Sequence, residues 1–184
     1  IEGMNVDGTL NPDAPDVFND LRIVIEFNRG KPKIIGIWEA TTEPSRRYTN
    51  NPISQYARRH GAARIEFGQY KAWKVGIHGN AEPHEALVQR DMVTVCRDLD
   101  KNMIRTGDKR DTNNNFGINQ HYGYDFPRRT IGIASAGCLV GRTRQGHRDF
   151  MKLIKQDKRY QTNKNYLFYT TIIPGNDLEK EFPA

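Results

Sequence analysis

The residues best suited to chemistry lie in two short segments, Asn119-Gln120-His121-Tyr122-Gly123 and Ala134-Ser135-Ala136-Gly137-Cys138-Leu139-Val140-Gly141. A thiol takes up an acyl group only as its thiolate, and a free cysteine with a pKa of ~8.5 is mostly protonated at neutral pH. A histidine within hydrogen-bond reach supplies the general base and stabilises the thiolate. Cys138 and His121, 138 − 121 = 17 positions apart, are the candidate nucleophile and base. Gly137 allows a tight turn or a close approach of substrate to the backbone. Backbone amides of the turn at Ser135–Cys138 are candidate oxyanion donors, each worth roughly 3–4 kcal/mol where such donors have been removed. Ser135 and Gly137 therefore join the candidate catalytic set. Chemistry of this kind requires neither a metal nor an organic cofactor, and none is expected.

Each of these residues also has an ordinary reading. A cysteine in a strand is commonly a small buried hydrophobe, and a histidine can be a satisfied core residue. Their spacing and the intervening glycine favour the chemical reading for Cys138 and His121. A rival base stands in Gly76-Ile77-His78-Gly79, but 138 − 78 = 60 positions separate His78 from the cysteine. His78 is kept as an alternative base or a substrate-site residue. Asn119 shares a strand face with His121, where it could orient the ring or line the site. Tyr122, Ala136 and Arg142 complete the candidate substrate-binding set, and His60, His84 and His147 read as surface residues.

The elements that must position these residues are mostly strands. Leu21, Ile23, Ile25 and Phe27 alternate with Arg22, Val24 and Glu26, a period of two. Arg29-Gly30-Lys31-Pro32 reads as a turn and 33–41 as the hairpin partner. Residues 43–63, with two prolines and Asn50-Asn51-Pro52, read as a long exposed loop. Residues 64–77 read as a strand region, 85–98 as two short strands, and 101–115 as a polar loop. Residues 116–121, 130–141 and 166–174 read as strands again. The one helix with a clear signal is Gly146–Asp157, where Phe150, Met151, Leu153 and Ile154 form a stripe and the lysines face away. Residues 1–19, rich in Asn, Asp, Pro and Gly, read as an irregular lead-in, 20–178 as one domain and 179–184 as a tail. Many short strands with one helix at about 146–157 predict a mainly β fold, a sandwich or barrel.

Composition narrows the functional classes. The chain has 184 residues and a net charge of +6, from 28 basic and 22 acidic residues, with a pI near 9.4. Such a balance favours polyanionic surroundings such as a bacterial wall, an anionic membrane or nucleic acid. No apolar run approaches the ~18 residues of a spanning helix, and no nucleic-acid motif is present, so neither a membrane nor nucleic acid is an expected partner. Cys96, in Val93-Thr94-Val95-Cys96, reads as a buried strand residue. Asp98-Leu99-Asp100-Lys101-Asn102 has the opening spacing of a calcium-binding loop. Met103 stands where such loops have glycine and Lys109 where they close with glutamate, so a polar turn is expected there. A chain opening on Ile1 with no signal segment reads as a processed or excised piece.

The pattern of His121, then Ser135-Ala136-Gly137-Cys138-Leu139, with Gly68-Gln69-Tyr70 upstream and a helix downstream, resembles the catalytic domain of L,D-transpeptidases. In that family a histidine precedes Ser/Thr-x-Gly-Cys by about fifteen residues. The resemblance spans roughly residues 22–174, and its specificity sits in 121–141. Ala136 stands where a second histidine is common, Val140 where Arg or Asn is usual, and Tyr122 where glycine normally follows the histidine. The resemblance implies an L,D-transpeptidase-like β-sandwich with the helix after the cysteine strand. It also implies action on peptidoglycan stem peptides through a Cys138 thioester with His121 as base, by transpeptidation or hydrolysis, in the periplasm, at the cell envelope or outside the cell. Arg142 would stand in for the missing arginine. Ala136 and Val140 suit the alternative, a peptidoglycan-binding module that keeps the fold without the chemistry.

Overall fold

Period-two alternation and a two-residue turn build the first unit of the computed structural model, which describes residues 1–181. Strand β1 (Asp20–Asn28) returns antiparallel as β2 (Lys31–Thr41) across Arg29 and Gly30, with φ of 50° and 80°. Paired positive φ values match the twist of a tight hairpin. Two short helices follow, α1 (Arg46–Asn50) and α2 (Gln55–His60), each capped by a serine, Ser45 and Ser54, that accepts a backbone N–H. Then come β3 (Ala62–Ile65), β4 (Gly68–His78), β5 (His84–Gln89), β6 (Val93–Asp98) and β7 (Lys109–Asn113). Strands β8 (Gln120–Tyr122) and β9 (Leu139–Gly141) precede helix α3 (Arg144–Ile154). Helix α4 (Lys158–Thr162), strand β10 (Phe168–Ile172) and helix α5 (Gly175–Glu181) complete the order.

The strands form two sheets, one of seven in the order β1-β2-β9-β8-β5-β4-β10 and one of three in the order β3-β6-β7. Every pairing is antiparallel except β8 with β9. The main core draws on both sheets and on α3. Ala63, Ile65, Val93 and Val95 come from the smaller sheet, Trp73, Leu87, Leu139 and Phe168 from the larger, and Phe150 and Met151 from the helix. The fully buried Trp73 donates its indole N–H to the Ile118 carbonyl at 2.7 Å, which fixes the approach to β8. A smaller cluster of Phe18, Ile131, Ala134 and Val140 lies next to Cys138. The fold is mainly β. Among the described residues no helix is long and apolar enough to cross a membrane.

Several sequence expectations change. The stripe at 146–157 belongs to a helix that starts two residues earlier and ends three residues earlier, begun by Thr143 capping Gly146 N–H and followed by the separate α4. It is one of five helices among the described residues. The stretch 43–63 is not an exposed loop: it holds α1 and α2, and Glu43, Ser45 and Thr49 are buried. The polar loop 101–115 contains β7, an edge strand whose ladder to β6 needs no apolar alternation. Of 130–141 only 139–141 is strand, because Ile131–Ala134 turn back to fill the small cluster. The lead-in has little regular structure, as read, yet Glu2 and Met4 are buried and Glu2 pairs with Pro174. Helix α5 runs into the proposed tail, whose residues 182–184 lie outside the described residues.

Candidate functional site

The parallel pair of β8 and β9 gathers the candidate residues. Its register joins Gln120 to Leu139, His121 to Val140 and Tyr122 to Gly141, and Leu139 N–H donates to the Asn119 carbonyl at 2.9 Å. Partners in a parallel ladder share a face, and so do residues two apart. Cys138 precedes β9 by one residue, so it lies beside Asn119 and on the face that also carries His121.

Cys138 is half-buried against the small apolar cluster, with Tyr124 and Phe126 close by. Its thiol donates to the Gly117 carbonyl at 3.4 Å, and among the described residues no histidine hydrogen-bonds it. Loss of hydration pushes the thiol up to about 11, and a backbone hydrogen bond from Asn119 acts weakly the other way. The resting cysteine is thus a neutral thiol.

Ser135, fully buried, clamps the turn before it. Its hydroxyl donates to the Cys138 carbonyl at 2.9 Å and accepts from Gly137 N–H at 3.1 Å. The Gly137 amide is therefore occupied in this state and is not an open oxyanion donor. Gly137 has φ of +126°, and a Cβ there would lie 2.4 Å from the Ala63 carbonyl oxygen on β3. Both features demand glycine. Gly137→Ala is expected to lower stability by about 2–4 kcal/mol, read as a fall in the chemical-denaturation midpoint. A change below about 0.5 kcal/mol would show that β3 and the turn separate at little cost.

Four of the five histidines meet here. His78 stacks on His121 with ring centroids 3.9 Å apart, and His84 packs edge-on to both and stacks on Tyr122 at 3.7 Å. His147 lies 6.0 Å from His84. Hydrogen bonds fix three of the tautomers. His121 Nδ1 lies 2.8 Å from the Tyr122 carbonyl, which only accepts, so Nδ1 carries the proton and Nε2 is the free base. Asn119 Oδ1 accepts from Gln89 N–H at 2.9 Å, so its Nδ2 donates to His78 Nδ1 at 3.0 Å. His147 Nδ1 accepts from Arg22 at 3.1 Å and its Nε2–H donates to the Glu85 carbonyl at 2.9 Å.

Burial keeps the rings of His78, His121 and His147 neutral. It pushes His78 down to about 4 and His147 to about 3, each with help from neighbouring positive charge. His121, almost fully buried, falls well below the usual histidine range for the same reason, with His78 second. Asn119 thus orients His78 directly and His121 only through the stack. His84 and His147 are not surface residues: His84 is half-buried between Tyr122 and His78, and His147 is buried on α3. His60 is exposed, as expected.

The proposed substrate residues divide. Tyr122 is buried, donates to Glu82 at 2.5 Å, and props the sheet rather than facing an open site. Arg142 is tied to Glu39 at 2.6 Å. Val140 is fully buried in the small cluster, where an arginine would meet only apolar walls. Ala136 is half-buried on the turn.

Sequence reasoning missed Glu82, Arg144 and Tyr124. Arg144 reaches Glu82 at 3.1 Å and Asp125 at 2.8 Å, with its guanidinium over the rings of Tyr122 and Tyr124. Tyr124 and Asp125 have φ of 59° and 62°, a strained turn beside the thiol. Arg22, read simply as lying on the strand face opposite Leu21 and Ile23, is buried. It donates to the Leu139 carbonyl at 2.7 Å and to His147, bracing β9 against α3. No local sequence signal marks any of these. Comparison with protein-family models, with curated proteins and with solved structures finds no match to this chain.

Proposed function

We propose that the protein is a cysteine-dependent acyl transferase or hydrolase of the L,D-transpeptidase type, in an L,D-transpeptidase-like sandwich, acting on peptidoglycan stem peptides at the cell envelope. The observation that carries this reading is the parallel β8–β9 pair. It sets a half-buried thiol on the same face as a neutral histidine whose Nδ1 is committed to a backbone carbonyl and whose Nε2 is free. In the proposed reaction the Cys138 thiol leaves the Gly117 carbonyl and gives its proton to His121 Nε2. The sulfur attacks the carbonyl carbon of an L,D peptide bond, and the C–N bond breaks. His121 returns the proton to the departing amine of the terminal D-residue. A second amine, or water, then cleaves the thioester and regenerates the thiol. The positive charge of the chain suits an anionic wall.

One observation favours a second reading, a peptidoglycan-binding module without catalysis: the thiol is held neutral on Gly117 and hydrogen-bonds neither His121 nor His78. Incubation with purified sacculi and with defined tetrapeptide and pentapeptide muropeptides separates the two, with products read by mass spectrometry. Released D-residues, opened crosslinks or new crosslinks are the expected result. An unchanged muropeptide profile with sacculus binding intact would replace the enzyme by the binding module.

A further inference from the structure

Away from the histidines, three carboxylates converge on the connection between β6 and β7. Asp98, Asp100 and Asp108 each offer an oxygen, and these atoms lie within 4.8 Å of one another. Calcium–oxygen distances of about 2.3–2.6 Å allow ligand oxygens up to ~5 Å apart around one ion. Asp98 is only 1% exposed. Its Oδ2 accepts Met103 N–H at 3.0 Å, while its Oδ1 has no hydrogen-bond partner. Asp108 Oδ2 is likewise buried and unpartnered. A buried carboxylate oxygen with nothing to satisfy it is destabilising, and two of them beside a third carboxylate compound the cost.

We propose that this loop is a calcium site, with Asp98, Asp100 and Asp108 as its carboxylate ligands. A dication supplies the partner that Asp98 Oδ1 and Asp108 Oδ2 lack and cancels the repulsion among the three groups. Burial, then the charges of Asp98 and Asp100, push Asp108 up to about 6, and burial raises Asp98 as well. Arg64 and Arg105 lie near enough to moderate this. They are engaged elsewhere, however, Arg64 with Glu43 at 3.0 Å and Arg105 in a two-pronged pair with Glu2. Those same arginines pair with Glu2 and Glu43, two of the three carboxylates of the other acidic group (Glu2, Asp13 and Glu43), which makes that group the weaker candidate.

The two departures from a calcium-loop pattern also find an answer. Met103 adopts φ of +66° without being glycine, and its buried side chain helps hold it there. Asp108 supplies a carboxylate one residue before Lys109, the position where glutamate would close such a loop. The loop is a structural hub. Lys101 donates to the Asn50 carbonyl at the end of α1, and Arg105 donates to the Ile65 carbonyl of β3 and pairs with Glu2. An ion here therefore acts on global stability.

The test is calorimetric titration of chelator-treated full-length protein with calcium chloride, paired with thermal unfolding. One site with a Kd of about 10⁻⁴ M or tighter is expected, with Tm rising by roughly 5–10 °C at a hundredfold excess over Kd. Asp100→Asn and Asp108→Asn are each expected to weaken binding at least ~10-fold, whereas Asp13→Asn, in the other acidic group, leaves it unchanged. No heat and no Tm shift up to roughly 10 mM calcium, beyond the weakest extracellular modules, would overturn the proposal. So would binding that survives in both loop variants. The wild-type titration stands even if one variant fails to fold.

Discussion

Cys138→Ala is expected to keep its fold and its affinity for sacculi while losing release or exchange of D-residues by at least ~10⁴-fold, the scale seen when a nucleophile is removed from a preorganised site. The fold should tolerate the change. The sulfur makes one 3.4 Å hydrogen bond and packs against the edge of a small cluster, so the loss of stability is about 1 kcal/mol. The companion variants assign the base. His121→Gln is expected to lower kcat by about 10²–10⁴-fold, because Gln has no nitrogen that can accept and return the proton. His78→Gln should cost much less, since His78 touches His121 by stacking and spends its Nδ1 on Asn119. The reverse order of effects would move the base to His78. A Cys138→Ala protein with undiminished turnover would end the thioester mechanism altogether.

Where the chain repeats a physical period, its sequence was legible. The β1–β2 hairpin follows from alternation and a two-residue turn, and α3 from an apolar stripe behind a threonine cap. The failures share a cause, which is that tertiary context overrode a local signal. Lys109–Asn113 has no apolar alternation and is a strand because β6 offers it an unpaired edge. Ile131 and Ile133 look like strand residues, yet the chain turns at Gly132, with φ of +61°, and buries Ile131 beneath Cys138.

The same contrast holds at the site. Cys138 and His121 could be singled out as candidates because each stands in a short segment whose residue types suit acyl chemistry. That Asn119 serves His78 could not be read, because the contact joins positions 41 apart. The burial of His84 and His147 depends on how β5 meets α3, and Arg22 reaches His147 across 125 positions. Glu82 comes from the turn between β4 and β5 and carries no mark of its own beyond being acidic, yet it holds Tyr122 and Arg144 together.

The alkylation rate of Cys138 by iodoacetamide is expected to rise about tenfold per pH unit from pH 7 to 10, a thousandfold in all. The reason lies in the protonation of the free protein. With the thiol pushed up to about 11, only about one molecule in ten thousand carries the thiolate at pH 7, and the thiolate alone reacts. A cysteine already paired with a protonated histidine would instead react at a constant rate across this range. Such a pair needs an imidazole that holds a proton at rest, and burial lowers the proton affinity of His121 in the free protein. Mass-spectrometric mapping keeps the signal separate from Cys96, which is buried beside Glu66 and pushed up to about 12. His121→Gln should leave this profile unchanged, since no hydrogen bond joins ring and sulfur in the resting state. A flat profile would mean that the thiol rests ionised and is not held on the Gly117 carbonyl in solution. A steep one would place proton transfer to His121 after substrate has bound and brought the thiol off Gly117.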